Sequence, residues 1–222
     1  MKLAIKISWK TEIIPIIILL LCGLASIYFY NHFPTLVATH WNLQGQPDGY
    51  SGKTFAAFFF PALLILMYLL FVFLPQFDPK RERYAEFSKV YNIFRHLIVG
   101  IMAIIFLATG LYNLGYDINI GIVTASSIGL MMIVLGYYMK EIKSNWFIGI
   151  RTPWTLSSEN VWNKTHRLGG ILFMVFGLIL VIMPFLPETL AIFLTIAWII
   201  ILLLGTFGYS YWLFRQEKKS GL

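Results

Sequence analysis

One cysteine, Cys22, stands in 222 residues, which rules out an intramolecular disulfide and argues against zinc–thiolate sites and dithiol chemistry. Charge is scarce too: 12% of the residues are Asp, Glu, Lys or Arg, about half the share usual in soluble domains. No Ser-His-Asp order, HExxH, phosphate-cradling glycine loop or paired catalytic carboxylate occurs, so neither an enzyme nor a cofactor signature is on offer. No internal repeat suggests the related halves of many transporters.

What fills the chain instead is hydrocarbon, with 59% hydrophobic residues. Six apolar runs, approximately Ile13–Tyr30, Thr54–Leu74, Leu97–Leu114, Ile118–Met139, Leu168–Leu186 and Leu190–Trp212, contain no Asp, Glu, Lys, Arg or His. A helix needs about 20 apolar residues to cross a bilayer. The expected fold is therefore an all-α membrane protein, a six-transmembrane-helix bundle forming a single polytopic domain over residues 1–222. MKLAIKISWK and the run after it could pass for a signal peptide, but Leu21 precedes Cys22 and no small-x-small site closes the run. The first helix is expected to stay as an anchor.

The charge present is mostly positive, 17 Lys and Arg against 10 Asp and Glu. Positive residues in short loops stay cytoplasmic. With both termini cytoplasmic, every Lys and Arg except Lys53 falls inside, from Lys2, Lys6 and Lys10 to Arg215, Lys218 and Lys219. The net charge of +7 thus reports orientation and attraction to anionic lipid, and calls for no nucleic-acid partner. Runs without ionisable groups disfavour a proton- or ion-coupled transporter.

Three pieces lie outside the bilayer: an outside loop, 31–53, and inside loops 75–96 and 140–167. GYDIN and PFLPET read as short connectors. In the first inside loop Asp78 is a plausible N-cap with Pro79 at the first helical position, and Tyr84, Phe87, Tyr91 and Phe94 then share the apolar face of a helix lying on the membrane surface. Gly121, Ala125 and Gly129 form a small-residue stripe suited to close helix contact, and Thr109, Asn113, Ser126 and Ser127 can hydrogen-bond between helices or to backbone carbonyls.

The outside loop contains HFPTLVATHWNLQGQPDGYSGK, where Asn42, Gly45, Pro47, Asp48 and Gly49 are turn formers and Pro34 and Pro47 exclude helix, so tight turns or a small hairpin are expected. His40, Trp41, Asn42, Gly45, Pro47 and Asp48 are its candidate binding residues. His32, His40 and Asp48 are sensible zinc ligands by type, but their spacing fits no compact metal motif, and no metal is assigned.

The second inside loop holds the densest chemistry, NWFIGIRTPWTLSSENVWNKTHRLGG over 145–170. Pro153 disfavours helix at Thr152, and Thr155 or Ser157 can cap a helix whose first turn carries Glu159. On that helix Trp162 and His166 share a face, beside a polar row of Glu159, Asn163 and Arg167. Arg151 is expected to pair with lipid phosphate, with carbonyls at the end of the fourth helix, or with Glu159. Nothing here forms a nucleophile–base or metal set. The segment reads as a rigid clamp between the fourth and fifth membrane helices, or as a docking surface.

GIRTPWTLSSENVWNKTHRLGG resembles the hallmark of the SdpI family of bacterial membrane proteins, and HWNLQGQPDGYSGK resembles the domain of unknown function often found at their N-terminus. The resemblance spans roughly residues 15–215. It implies a multi-pass protein of the bacterial plasma membrane, without enzymatic activity, that protects the producing cell from a secreted peptide toxin. It further implies that the toxin-bound form holds a small winged-helix autorepressor at the membrane. Gly149, Arg151, Thr152, Pro153, Trp154, Thr155, Trp162, Asn163, His166 and Arg167 match the family's cytoplasmic pattern, with no catalytic role attached. The helices alone leave a second reading, a small-molecule or peptide transporter.

Overall fold

The computed structural model describes residues 5, 7–42 and 45–220. Lys2 and Lys6 of the charge map, and Leu43 and Gln44 of the outside loop, lie outside the described residues. The described residues are mostly helical: α1 (Trp9–His32), a hairpin of β1 (Leu36–Trp41) and β2 (Pro47–Gly52), α2 (Lys53–Phe73), α3 (Ser88–Asn113), α4 (Ile120–Tyr138), the short α5 (Pro153–Ser157), α6 (Glu159–Ile182) and α7 (Glu188–Ser220). Six of the helices are long and apolar enough to cross a membrane, as the six runs predict. Two compact units divide these elements, one built from residues 7–72 and 95–128, the other from 73–94 and from 129 onward together with Ile5.

In the first unit α1 starts on a capping box, with the Ser8 and Thr11 side chains each bonded to the other's backbone N–H. Its core joins Cys22, Phe29, Val37, Leu64, Val99 and Phe106. The Phe29 ring lies flush on Gly110, where an added Cβ would fall 2.1 Å from it. The expected hairpin forms, antiparallel and with irregular register around His40. It is held by Asn113, whose Oδ1 accepts from Ala38 N at 2.8 Å and whose Nδ2 donates to Ala38 O at 3.0 Å. Asn113 thus completes a strand edge, with a further bond to the Thr109 carbonyl, instead of bridging two helices.

The apolar runs are uncharged, but the helices overrun them. Glu12 in α1 and Arg95 in α3 are buried and meet at 2.6 Å, and the Tyr68 hydroxyl of α2 donates to Glu12 at 2.7 Å. The three long helices of this unit are therefore joined by one polar knot as well as by packing.

In the second unit α4 and α6 touch backbone to backbone. A Cβ on Gly129 would lie 2.6 Å from the Gly177 carbonyl oxygen, and one on Gly136 would lie 2.5 Å from that of Gly170. The tight seam is thus Gly129 and Gly136 against Gly177 and Gly170, about two turns apart on each helix, and shares only Gly129 with the stripe expected at Gly121, Ala125 and Gly129.

The segment after Asp78 also departs from expectation. It makes a 3-10 turn at Arg81–Ala85, and α3 begins only at Ser88. Tyr84, Phe87 and Tyr91 are buried in a core with Ile5, Met139, Ile148 and Trp162, and Phe94 packs on it. These aromatics meet protein where a surface helix would have laid them on lipid.

Candidate functional site

The clamp is built from the 140–167 loop downward. After the turn at Met139–Glu141 the chain has no regular structure until α5, so its backbone groups need side-chain partners. Buried Asn145 supplies them: its Oδ1 accepts from Phe147 N at 2.9 Å and Ile148 N at 2.7 Å, and its Nδ2 donates to Lys143 O at 2.8 Å and Ile148 O at 3.0 Å. Asp78 supplies the rest. Its carboxylate accepts from Trp146 N and from the Tyr84 hydroxyl, both at 2.9 Å, and from Lys80 N at 2.7 Å. Burial, and then the hydrogen bond to Asp78, push the Tyr84 hydroxyl far above its ordinary pKa, so it stays a donor.

Trp162 and His166 form the floor. Their rings stack at 4.0 Å, and the Trp162 indole N–H donates to Ile142 O at 2.8 Å. His166 Nε2 accepts from Ile150 N at 3.0 Å, which leaves Nδ1 carrying the proton it gives to Trp162 O at 2.8 Å. The loop can reach this imidazole only because residue 149 is glycine: φ is +111°, and an added Cβ would fall 2.3 Å from His166 Nε2.

Thr152 caps the next helix, where Thr155 or Ser157 was the expected cap of the helix carrying Glu159. Thr152 and Thr155 form a reciprocal capping box at 3.1 Å and 2.9 Å, Pro153 takes the first helical position of α5, and Ser158 caps α6. The signal lay in the Thr-Pro pair, since proline is favoured at the first turn behind a cap. Thr152 Oγ1 also donates to Ser210 Oγ of α7 at 3.1 Å, and Trp154 lies 5.1 Å from the Tyr211 ring. The clamp thus ties α5, α6 and α7 to the end of α4.

Gly149, Thr152, Pro153, Trp154, Thr155, Trp162 and His166 come together in this way. Asn163 and Arg167 do not, lying on the exposed side of α6, and Arg151, also exposed, joins the loop only through its own hydrogen bond. Arg151 donates to Trp146 O at 2.5 Å, while Glu159 goes to Arg83, also at 2.5 Å. That hydrogen bond is the main reason the Arg83 guanidinium sits above its ordinary pKa. Asp78, Tyr84 and Asn145 were absent from the candidate residues; the partners that give them importance lie up to 68 residues away in sequence.

Thr152→Ala is expected to cost about 1–2 kcal/mol through the lost cap, whereas exposed Arg151→Ala should cost under about 1 kcal/mol. Thermal melting of the two variants in one detergent checks the order.

In the hairpin, His40 Nδ1 and Asp48 Oδ1 pair at 2.5 Å with both side chains exposed. Asn42 closes the tip: its N–H donates to Gln46 O, its carbonyl accepts from Gly45 N, and its side-chain Oδ1 accepts from Gln46 N at 2.9 Å, while Gly45 takes φ +74°. Trp41 packs edge-on against Tyr112, and Pro47 pairs with Trp41 in the ladder. His32 stands apart, stacked on Tyr28. Among the described residues no group of three or more His, Cys, Asp or Glu could hold a metal.

Residues 141–210 match the SdpI/YfhL protein family. Residues 17–65 match a domain of unknown function, DUF1648. The first match contains the clamp and the second the hairpin. The chain is similar to Immunity protein SdpI of Bacillus subtilis (strain 168), 29% identical over 211 residues that cover 95% of this chain and 99% of that one. No solved structure matches the chain. The family resemblance and the six apolar helices make it a multi-pass plasma-membrane protein.

Proposed function

We propose that this chain is a non-enzymatic membrane immunity protein that protects the cell from a secreted peptide toxin, and that its toxin-engaged form holds a small winged-helix repressor at the cytoplasmic face. The observation that carries this reading is the end-to-end similarity to an immunity protein, with 95% of one chain aligned to 99% of the other. The hairpin supports it as the toxin-facing element: by the charge map it is outside, its tip is braced by Asn42, and the paired His40 and Asp48 side chains remain exposed. The inside clamp would be the repressor-facing element. Asn113, which could have lined a transport path, is engaged with the hairpin backbone, and this favours immunity over transport.

Expression in a toxin-sensitive bacterium should restore survival and membrane potential under toxin. His40→Ala with Asp48→Ala should lower protection about tenfold, the effect of 1.4 kcal/mol in binding, while melting is unchanged because both side chains are exposed. Undiminished killing despite confirmed membrane expression would refute the immunity role. A repressor that stays soluble in toxin-treated cells would refute the second part alone.

A further inference from the structure

Most charged groups that the clamp buries or braces are neutralised locally: Arg83 by Glu159 and Glu86, and Asp78 by three donors. One cluster is not. Lys140, Glu141, Lys143, Asn163, Lys164 and Arg167 line a cleft of about 500 Å³ between the turn that ends α4 and the first turns of α6. Four cations against one carboxylate leave it at +3. Among the described residues none of the four is in salt-bridge contact with a carboxylate.

The depth of the cleft narrows what can neutralise it. Arg167 immediately precedes Leu168, where an apolar run begins, and Lys140 immediately follows Met139, where another ends. Lys164 lies about 4.5 Å farther out along α6 at 1.5 Å per residue. Both walls therefore carry their cations at the edge of the hydrocarbon, the level of lipid phosphate, where long basic side chains direct their charge toward head groups. Asn163, also lining the cleft, adds a neutral amide donor.

From these observations we propose that this cleft is a binding site for the head group of an anionic phospholipid, and specifically of one that carries two phosphates. A single phosphate leaves the site at +2, and two leave it at +1. A site with four cations and an amide has donors for both phosphates, whereas a zwitterionic head group would bring its own ammonium into a positive field.

The test is lipid titration of the purified full chain in detergent, read by native mass spectrometry, with phosphatidylethanolamine, phosphatidylglycerol, cardiolipin and inorganic pyrophosphate as probes. Cardiolipin should bind about tenfold more tightly than phosphatidylglycerol. Lys140→Gln/Lys143→Gln/Lys164→Gln/Arg167→Gln should abolish that preference. Arg81→Gln/Lys89→Gln/Lys218→Gln/Lys219→Gln, which removes the same charge elsewhere, should keep it. If the first fourfold variant melts early, Lys164→Gln alone, on the exposed face of α6, should weaken cardiolipin binding about threefold. Equal binding of the one- and two-phosphate lipids overturns the proposal, as does an unchanged preference in the cleft variant. Pyrophosphate binding as tight as cardiolipin overturns it in favour of a soluble phosphate ligand.

Discussion

Gly149→Ala is expected to destabilise the protein by about 3 kcal/mol. Two costs combine. A residue with a Cβ held at φ +111° stores about 1–3 kcal/mol of backbone strain. The new methyl would also sit 2.3 Å from His166 Nε2, so the imidazole must leave, and the part-buried Ile150 N–H then loses its acceptor at about 1 kcal/mol. Differential melting in detergent measures the sum, and near-UV circular dichroism should report the disturbed Trp162–His166 stack. Gly23→Ala is the control, because nothing lies within 4 Å of its added Cβ and alanine is favoured inside a helix. A cycle with His166→Ala separates the two costs: in that background Gly149→Ala should retain the strain and lose the clash. Full destabilisation with His166 absent would show that the imidazole is not what glycine accommodates.

The parts that were legible in the sequence have local causes. An apolar run of about 20 residues can satisfy its backbone in hydrocarbon only as a helix, so six runs gave six helices. Asn42, Gly45, Pro47 and Gly49 dictated the hairpin in the same way. The Asn145–Gly170 stretch announced itself because polar and aromatic side chains crowd where the neighbouring runs have none.

What escaped was set by tertiary contact. Asp78-Pro79 is a good helix start, yet the carboxylate is used by Trp146 N and the Tyr84 hydroxyl, and the helix waits until Ser88. Tyr84, Phe87 and Tyr91 have the spacing of a membrane-surface face, but spacing cannot say whether lipid or Trp162 covers it. The glycine stripe was placed by an interval of four, while the seam uses an interval of seven, a choice fixed by the presence of Gly170 and Gly177 on the opposing helix.

Arg95→Ala is expected to destabilise the first unit by about 3–5 kcal/mol, because it strands a buried carboxylate. Glu12 is 5% exposed and Arg95 0%, and neither falls within an apolar run, so inspection of the runs passes over both. In the helices they face each other at 2.6 Å, with the Tyr68 hydroxyl completing the shell of Glu12 and the Tyr68 ring 5.6 Å from the guanidinium. Removing only that hydroxyl, as Tyr68→Phe, should cost about 1 kcal/mol, since a single hydrogen bond to the carboxylate is lost while the ion pair survives. Replacing both charges, as Glu12→Leu with Arg95→Met, should restore most of what Arg95→Ala removes, because well-packed apolar groups avoid the desolvation that the pair must offset. Melting of these variants in one detergent gives the coupling energy. If the double replacement is as damaging as Arg95→Ala, the ion pair stabilises beyond what apolar packing can replace. A functional role is tested separately: a well-folded double variant that loses the protection proposed above would place Glu12 and Arg95 in that function.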